Sequence, residues 1–156
     1  MRKPGSRNAK IVAQFVDNVA PNPTALYCDA EVKGRLIPLI LDSGASGSIV
    51  SCQLLNDLGI AIERPSTTVM INVHREQKRP LGEVLNFPIT IQGVTISADI
   101  VVVTDAQSYS VIVGNDWLSK VKALIDYQNS VMMITWQGQD LEIPVEYTEM
   151  PLEIIN

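Results

Sequence analysis

Apolar and polar residues alternate along much of this chain with the period of two that marks strands buried on one face. Leu26, Cys28, Ala30 and Val32 trace one such strand, and Lys33-Gly34-Arg35 turns the chain into a nearly unbroken apolar run, Leu36 to Leu41, that stops at Asp42. Together they predict a β-hairpin. Upstream, residues 1–10 read as an unstructured leader, Ile11 to Val16 as a short strand and Ala20-Pro21-Asn22-Pro23 as a turn. Downstream of Asp42 the period changes. Ser51 suits an N-cap and Gly59 the residue after a last helical turn, which predicts a two-turn helix between them. Strand patterning resumes over Thr67 to Val73, breaks at the polar stretch His74 to Arg79 and returns at Pro80 to Val84, as in a long hairpin with a charged tip. Phe87 to Ile91 and the alternating Val94, Ile96, Ala98, Ile100 and Val102 predict a further hairpin around Gln92-Gly93. Val111-Ile112-Val113 then runs into Gly114 and a short amphipathic helix bearing Trp117, Leu118 and Val121. A last hairpin pairs Ser130 to Trp136 with Leu141, Ile143, Val145 and Tyr147 across Gln137-Gly138-Gln139, and the tail, Leu152 to Ile155, is short and apolar. The pattern predicts an all-β chain with two short helices.

Composition narrows the chemistry. At 156 residues the chain is expected to form one domain, long enough to bury about two thirds of its unfolded surface. Its two cysteines, Cys28 and Cys52, lie in apolar contexts without metal-ligand spacing, which predicts buried free thiols and an intracellular, cytoplasmic setting. No apolar run approaches the length of a membrane span. Gln14, Asp17 and Asn18 interrupt the apolar stretch behind the basic start too early for a secretory signal. Net charge is −5, yet Arg2, Lys3, Arg7 and Lys10 place four positive charges and no acid in the first ten residues, leaving −9 on the rest. Such an acidic body offers no footprint for nucleic acid. The single histidine, His74, lies in a polar loop, which argues against a His-based metal site and against Ser-His or Cys-His catalysis. No metal or other cofactor is expected, and carboxylates remain as candidates for acid-base work.

Asp42 stands out among them. An ionisable carboxyl at the end of an apolar strand is costly unless its surroundings compensate it, and it is followed at once by Ser43-Gly44-Ala45, where Gly44 suits a tight turn. About seventy residues later comes Val111-Ile112-Val113-Gly114, continuing as Asp116-Trp117-Leu118 and later Ile125-Asp126. Hydrophobic strand, Asp, small hydroxyl residue, Gly and Ala, followed by apolar-apolar-Gly, resembles the retropepsins. These are the single-lobed aspartic proteases of retroviruses and long-terminal-repeat retrotransposons, and the Asp-Trp-Leu continuation is similar to gypsy-type retrotransposon proteases. The resemblance spans roughly residues 25 to 136. It implies a closed, irregular all-β barrel with two short helices, acting as a homodimer. Residues 1–24 are then a basic leader and linker, 25–147 the protease domain, and 148–156 a tail that supplies a candidate dimer strand.

The chemistry implied is peptide-bond hydrolysis. Asp42 is the only acid in the chain followed by Ser/Thr-Gly, so a two-carboxylate site takes Asp42 from each of two subunits. Two carboxyls in hydrogen-bonding distance share one proton and titrate as a unit. The resemblance further implies that Ser43 braces the turn across the dimer, that Gly44 contacts substrate backbone, and that Ala45, Ser46 and Ile112 line a peptide cleft. The hairpin tip with His74, Arg75 and Glu76 would be the flap that folds over bound peptide, although flap tips in the family usually contain Gly and none lies between Gly59 and Gly82. Extended polypeptide is the expected substrate, in retroelement polyprotein maturation or a domesticated counterpart. The alternative is a catalytically inactive dimeric module of the same fold that binds peptide or directs assembly. A ubiquitin-shuttle-type protease shares a similar core, but its additional domains are not expected here.

Overall fold

The computed structural model describes residues 10–12, 24–71 and 74–149. Chain order begins with β1 (Lys10–Val12), β2 (Thr24–Val32), β3 (Arg35–Leu41), β4 (Ser48–Ser51) and α1 (Cys52–Leu58). Next come β5 (Val69–Ile71), β6 (Gln77–Lys78), β7 (Gly82–Phe87), β8 (Thr90–Ile91), β9 (Val94–Thr95) and β10 (Ala98–Thr104). The chain continues with β11 (Val111–Val113), α2 (Asn115–Lys120), β12 (Leu124–Asp126), β13 (Val131–Trp136), β14 (Gln139–Pro144) and β15 (Glu146–Glu149). Local sequence explains many of the corners. Lys33-Gly34, Gln92-Gly93 and Gln137-Gly138 all have positive φ, the pairing that a two-residue hairpin turn of the type I′ kind requires. They close β2–β3, β8–β9 and β13–β14 in the expected places. Ser51 caps α1 by accepting the Leu54 amide on its hydroxyl, and Gly59 ends it in the left-handed conformation.

Nine strands form one curled sheet in the order β7-β10-β4-β11-β3-β2-β8-β9, with β15 also on β2. Its end strands β7 and β9 do not pair with each other, so the pairing is that of an open, curled half-barrel where a closed barrel was expected. A second sheet holds β12-β13-β14, and a third holds β1-β5-β6. Two short helices are the only ones among the described residues.

The sheet has a thick side and a thin side. Leu39, Leu41, Val50, Val101, Val103, Val111 and Val113 pack into the main core with Leu54, Phe87, Ile89, Trp117 and Met132. Ile49 and Val102, with Ile112 partly covered beside them, pack against Met70 of β5 in a separate small cluster. Side chains alternate along a strand, so β4, β10 and β11 are sandwiched between the core and the β5–β6 hairpin. This explains why apolar residues run consecutively there. Ile100 is exposed while Val101, Val102 and Val103 are all buried, so the alternation expected through Val102 holds only as far as Ala98.

Two pairings correct the expected ones, and a third involves a strand for which no partner was expected. The hairpin with the polar tip is shorter: β5 pairs with Gln77–Lys78, and Pro80 to Val84 instead enters β7, which pairs with β10. Asn72 and Val73, the end of the expected strand, lie outside the described residues. Leu141 to Tyr147 does not form one strand, because the chain leaves β13 at Pro144 and Tyr147 sits in β15 opposite Leu26 of β2. Ile11 and Val12, expected to begin a short strand, do lie in one, which Lys10 joins from the end of the expected leader; this strand, β1, pairs in parallel with β5. Residues 13–16 of the expected first strand, the Ala20 to Pro23 turn and the apolar tail lie outside the described residues.

Candidate active site

β3 carries Asp42 to the thin side of the sheet. Leu39 and Leu41 point into the main core, so Ile40 and, one step beyond the strand, Asp42 share the opposite face. The ladder continues through it, because the Asp42 amide donates to the Val113 carbonyl at 3.0 Å. Ile112, paired in register with Ile40, belongs to the cluster that contains Met70 of the hairpin. The acid is thereby delivered to the side of the sheet over which the β5–β6 hairpin lies.

The loop then closes on itself. The Gly44 amide donates to Asp42 Oδ1 at 2.8 Å, and the Ala45 amide donates to the Asp42 carbonyl at 3.1 Å. A backbone donor aimed at a carboxylate oxygen makes a charge-assisted bond that holds the side chain in place. Asp42, Gly44 and Ser46 are half-buried and Ser43 is exposed, whereas Ala45 is 0% exposed in the single chain. Ala45 thus anchors the loop from beneath, and its carbonyl accepts the Asn115 amide at 2.8 Å.

Helix α2 is the clamp on this loop. Asn115 Nδ2 donates to the Ser43 carbonyl at 3.0 Å. The Asp116 carboxylate accepts the Ser48 hydroxyl at 2.9 Å on Oδ1 and the Ser48 amide at 3.1 Å on Oδ2, while the Trp117 amide donates to Oδ1 at 2.7 Å. Gly114 lets the helix come so close: a β-carbon there would lie 2.5 Å from the Ala45 carbonyl oxygen and 2.6 Å from that of Gly47. Trp117 is buried beyond it and donates its indole N–H to the Ile96 carbonyl at 3.2 Å. Ser48, Asn115 and Asp116 were not among the residues singled out for the site. Asn and Asp in a first helical turn signal only a helix start, and the loop they grip is fixed by tertiary packing.

His74, Arg75 and Glu76 are exposed and lie between β5 and β6. Arg75 has φ +65°, the left-handed conformation that usually calls for glycine. The hairpin is pinned to the body by Met70 and by Lys78, whose ammonium lies 2.6 Å from Asp105 Oδ1. At its base Arg64 pairs through Nε with the buried Glu83 carboxylate, and backbone bonds between Arg64 and Glu83 tie the approach segment to β7. The structure therefore gathers Asp42 to Ser46 in one loop and sets Ile112 between that loop's strand and the hairpin carrying 74–76. Both cysteines are free; Cys28 is buried and Cys52 half-buried. Among the described residues, no helix is long and apolar enough to cross a membrane.

The family model described as retroviral aspartyl protease matches residues 9–139. The crystal structure of the retroviral protease-like domain of Ddi1 from Leishmania major is similar in fold, with TM-score 0.59 at 19% identity over 82% of this chain and 92% of that one. A retropepsin-like aspartic protease from Rickettsia conorii aligns with TM-score 0.47 at 14% identity, over 85% of this chain and 100% of that one. The EIAV protease in complex with an inhibitor aligns with TM-score 0.48 at 20% identity, over 72% of this chain and 99% of that one. Among curated proteins no sequence match was found. With the family match spanning most of the chain and Asp42-Ser43-Gly44 set where β3 meets the Gly114 clamp, this chain belongs to the retroviral aspartyl protease family.

Proposed function

We propose that the chain is an aspartic endopeptidase that cleaves extended polypeptide at a dyad of Asp42 carboxyls, one from each subunit of a homodimer. The observation that carries this reading is the placement of Asp42 at the end of β3, on the hairpin side of the sheet, with one oxygen held by the Gly44 amide. Hydrolysis without a covalent intermediate needs a carboxylate to take a proton from water and a protonated acid to give one to the substrate carbonyl oxygen. A pair of Asp42 side chains sharing a proton supplies both roles. Ser43 braces the paired loops and Gly44 meets substrate backbone. Ser46 and Ile112 line the cleft, with Ala45 holding its floor from below, and residues 74–76 close over the peptide. The protease unit is residues 25–147, and any further dimer strand comes from 148–156.

A cleft between two β subunits favours a substrate that adds a strand by main-chain pairing. Maturation of a retroelement polyprotein, gypsy-type or domesticated, fits that substrate class. Two free cysteines fit action inside the cell, in the cytoplasm. The test is to incubate the purified protein with a denatured protein or its own precursor, with and without a pepstatin-like transition-state mimic. Cleavage that the mimic blocks and that Asp42→Asn reduces by at least about 100-fold supports the reading, that being the low end for loss of a general acid-base group. An Asn side chain still accepts from the Gly44 amide, so the variant is expected to keep its fold. Peptide binding without turnover by the parent would shift the assignment to a dimeric binding module.

A further inference from the structure

The third sheet is the least accounted for by the fold. In the order β1-β5-β6, strand β5 has β6 on one edge and β1 on the other, with Lys10 opposite Val69, Ile11 opposite Met70 and Val12 opposite Ile71. Among the described residues β5 is the sole strand partner of β1, and neither strand is bonded into the nine-stranded sheet. A hairpin that takes up an extended peptide by strand addition offers one open edge for it. In this chain that edge of β5 is occupied by the chain's own residues 10–12.

From this we infer that Lys10–Val12 is a tethered occupant of the strand-accepting edge of β5, and that incoming polypeptide must displace it. The inference rests on the peptide-cleaving reading above and adds to it a built-in competitor. The parallel sense of β1 fits this role. One extended peptide lying across a two-fold axis meets the two copies of β5 in opposite directions, so it runs parallel to one and antiparallel to the other. β1 adopts one of those two required senses. The alternative edge, on β6, belongs to a two-residue strand whose Lys78 is engaged with Asp105. Because the occupant is covalently attached, it competes at an effective concentration in the millimolar range, while a three-residue pairing is itself weak. The device therefore tunes apparent substrate affinity and leaves the bond-breaking step untouched.

The experiment replaces two successive residues of the full chain, Ile11→Pro with Val12→Pro, because ladder hydrogen bonds alternate along a strand and two prolines cover both phases. With a short peptide substrate, KM is expected to fall about two- to tenfold, the range for a millimolar tether and a weak strand, with kcat unchanged. A fluorescently labelled peptide of residues 8–14 is expected to bind the variant more tightly than the parent, and to slow amide exchange at Val69–Ile71 in the variant only. A triple variant, Lys10→Gly, Ile11→Gly and Val12→Gly, loosens the strand without removing donors and repeats the measurement if the prolines disturb folding. Equal binding of the labelled peptide to parent and both variants, with the same exchange at Val69–Ile71, overturns the inference. If neither parent nor variant hydrolyses peptide while the binding difference persists, the proposed activity falls and the tethered strand stands.

Discussion

Asp42 owes its position to its neighbours in the strand, in the loop and in the helix behind them. Its strand is fixed by Leu39 and Leu41 in the core, its rotamer by the Gly44 amide, and its loop by Asn115 and the missing side chain of Gly114. Gly114 has an ordinary φ of −102°, so its requirement is for space rather than for backbone freedom. Gly114→Ala would press a methyl group onto two carbonyl oxygens. It should cost about 1–3 kcal/mol, the usual range for overpacking, and reduce peptide turnover by displacing the Asp42 loop. Denaturant unfolding and peptide kinetics on the same variant check this; unchanged values for both would mean the loop does not need the helix at this distance. Cys28 gives a second prediction at this scale. Burial, with Asp29 adding to it, pushes its thiol from 9.0 up to about 12. The folded thiol stays protonated where the unfolded one ionises, so its contribution is complete below pH 9 and is lost as pH climbs toward 12. Near pH 8.5 a thiol reagent should modify Cys52 before Cys28 in the native protein and both after unfolding. Cys28→Ala should flatten the alkaline loss of stability, and a profile that overlays the parent's would show that Cys28 does not contribute to it.

At the scale of elements, legibility followed the range of the forces involved. Turns and caps are local: Lys33-Gly34, Gln92-Gly93, Gln137-Gly138, Ser51 and Gly59 all act where their chemistry indicates. Strand partners are not local. The polar break after Thr67 to Val73 suggested that the next apolar run was its partner, but Gln77–Lys78 takes that place and Gly82 onward pairs with β10. A two-residue polar strand carries no hydrophobic signal. The pairing of β1 with β5 was equally hidden, since the apolar start at Ile11 predicts a strand but not its partner. The absence of a tip glycine was visible, and the structure resolves it through Arg75 at φ +65°. A non-glycine residue there costs about 1–2 kcal/mol. Arg75→Gly should therefore be tolerated, keeping KM and kcat within about twofold, whereas Arg75→Val, β-branched and disfavoured at positive φ, should raise KM by weakening the hairpin. Removing residues 74–78 should cut turnover of a short peptide far more than it lowers the melting temperature. Undiminished turnover after that deletion would show that the hairpin does not cover the substrate.

For the whole molecule, the decisive question is whether two copies meet as the proposed dyad requires. A chain with one Asp-Ser-Gly motif can make the dyad only as a dimer, so activity should rise more steeply than linearly with protein concentration near the dissociation constant. Facing carboxyls in the proposed dimer would raise the second ionisation of the pair above the value of about 3.9 for an isolated Asp, a repulsion that separated chains lack. The sign follows from which state holds its proton longer. An acid whose pKa rises on association favours the dimer fully below the separated-chain value, and that advantage disappears as pH rises through the upper pKa of the pair. Dimer affinity should then weaken from mildly acidic toward neutral pH, with turnover best where one proton sits on the pair. Repulsion between two chains of net charge −5 pushes in the same direction, so the trend by itself does not identify the dyad. Asp42→Asn separates the two causes, because it removes the facing charges and leaves every other acid in place. Sedimentation across that pH range should show the variant still dimerising, with a flatter pH dependence of dissociation than the parent. If the two profiles overlay, general charge repulsion accounts for the trend and Asp42 is not half of a proton-sharing pair.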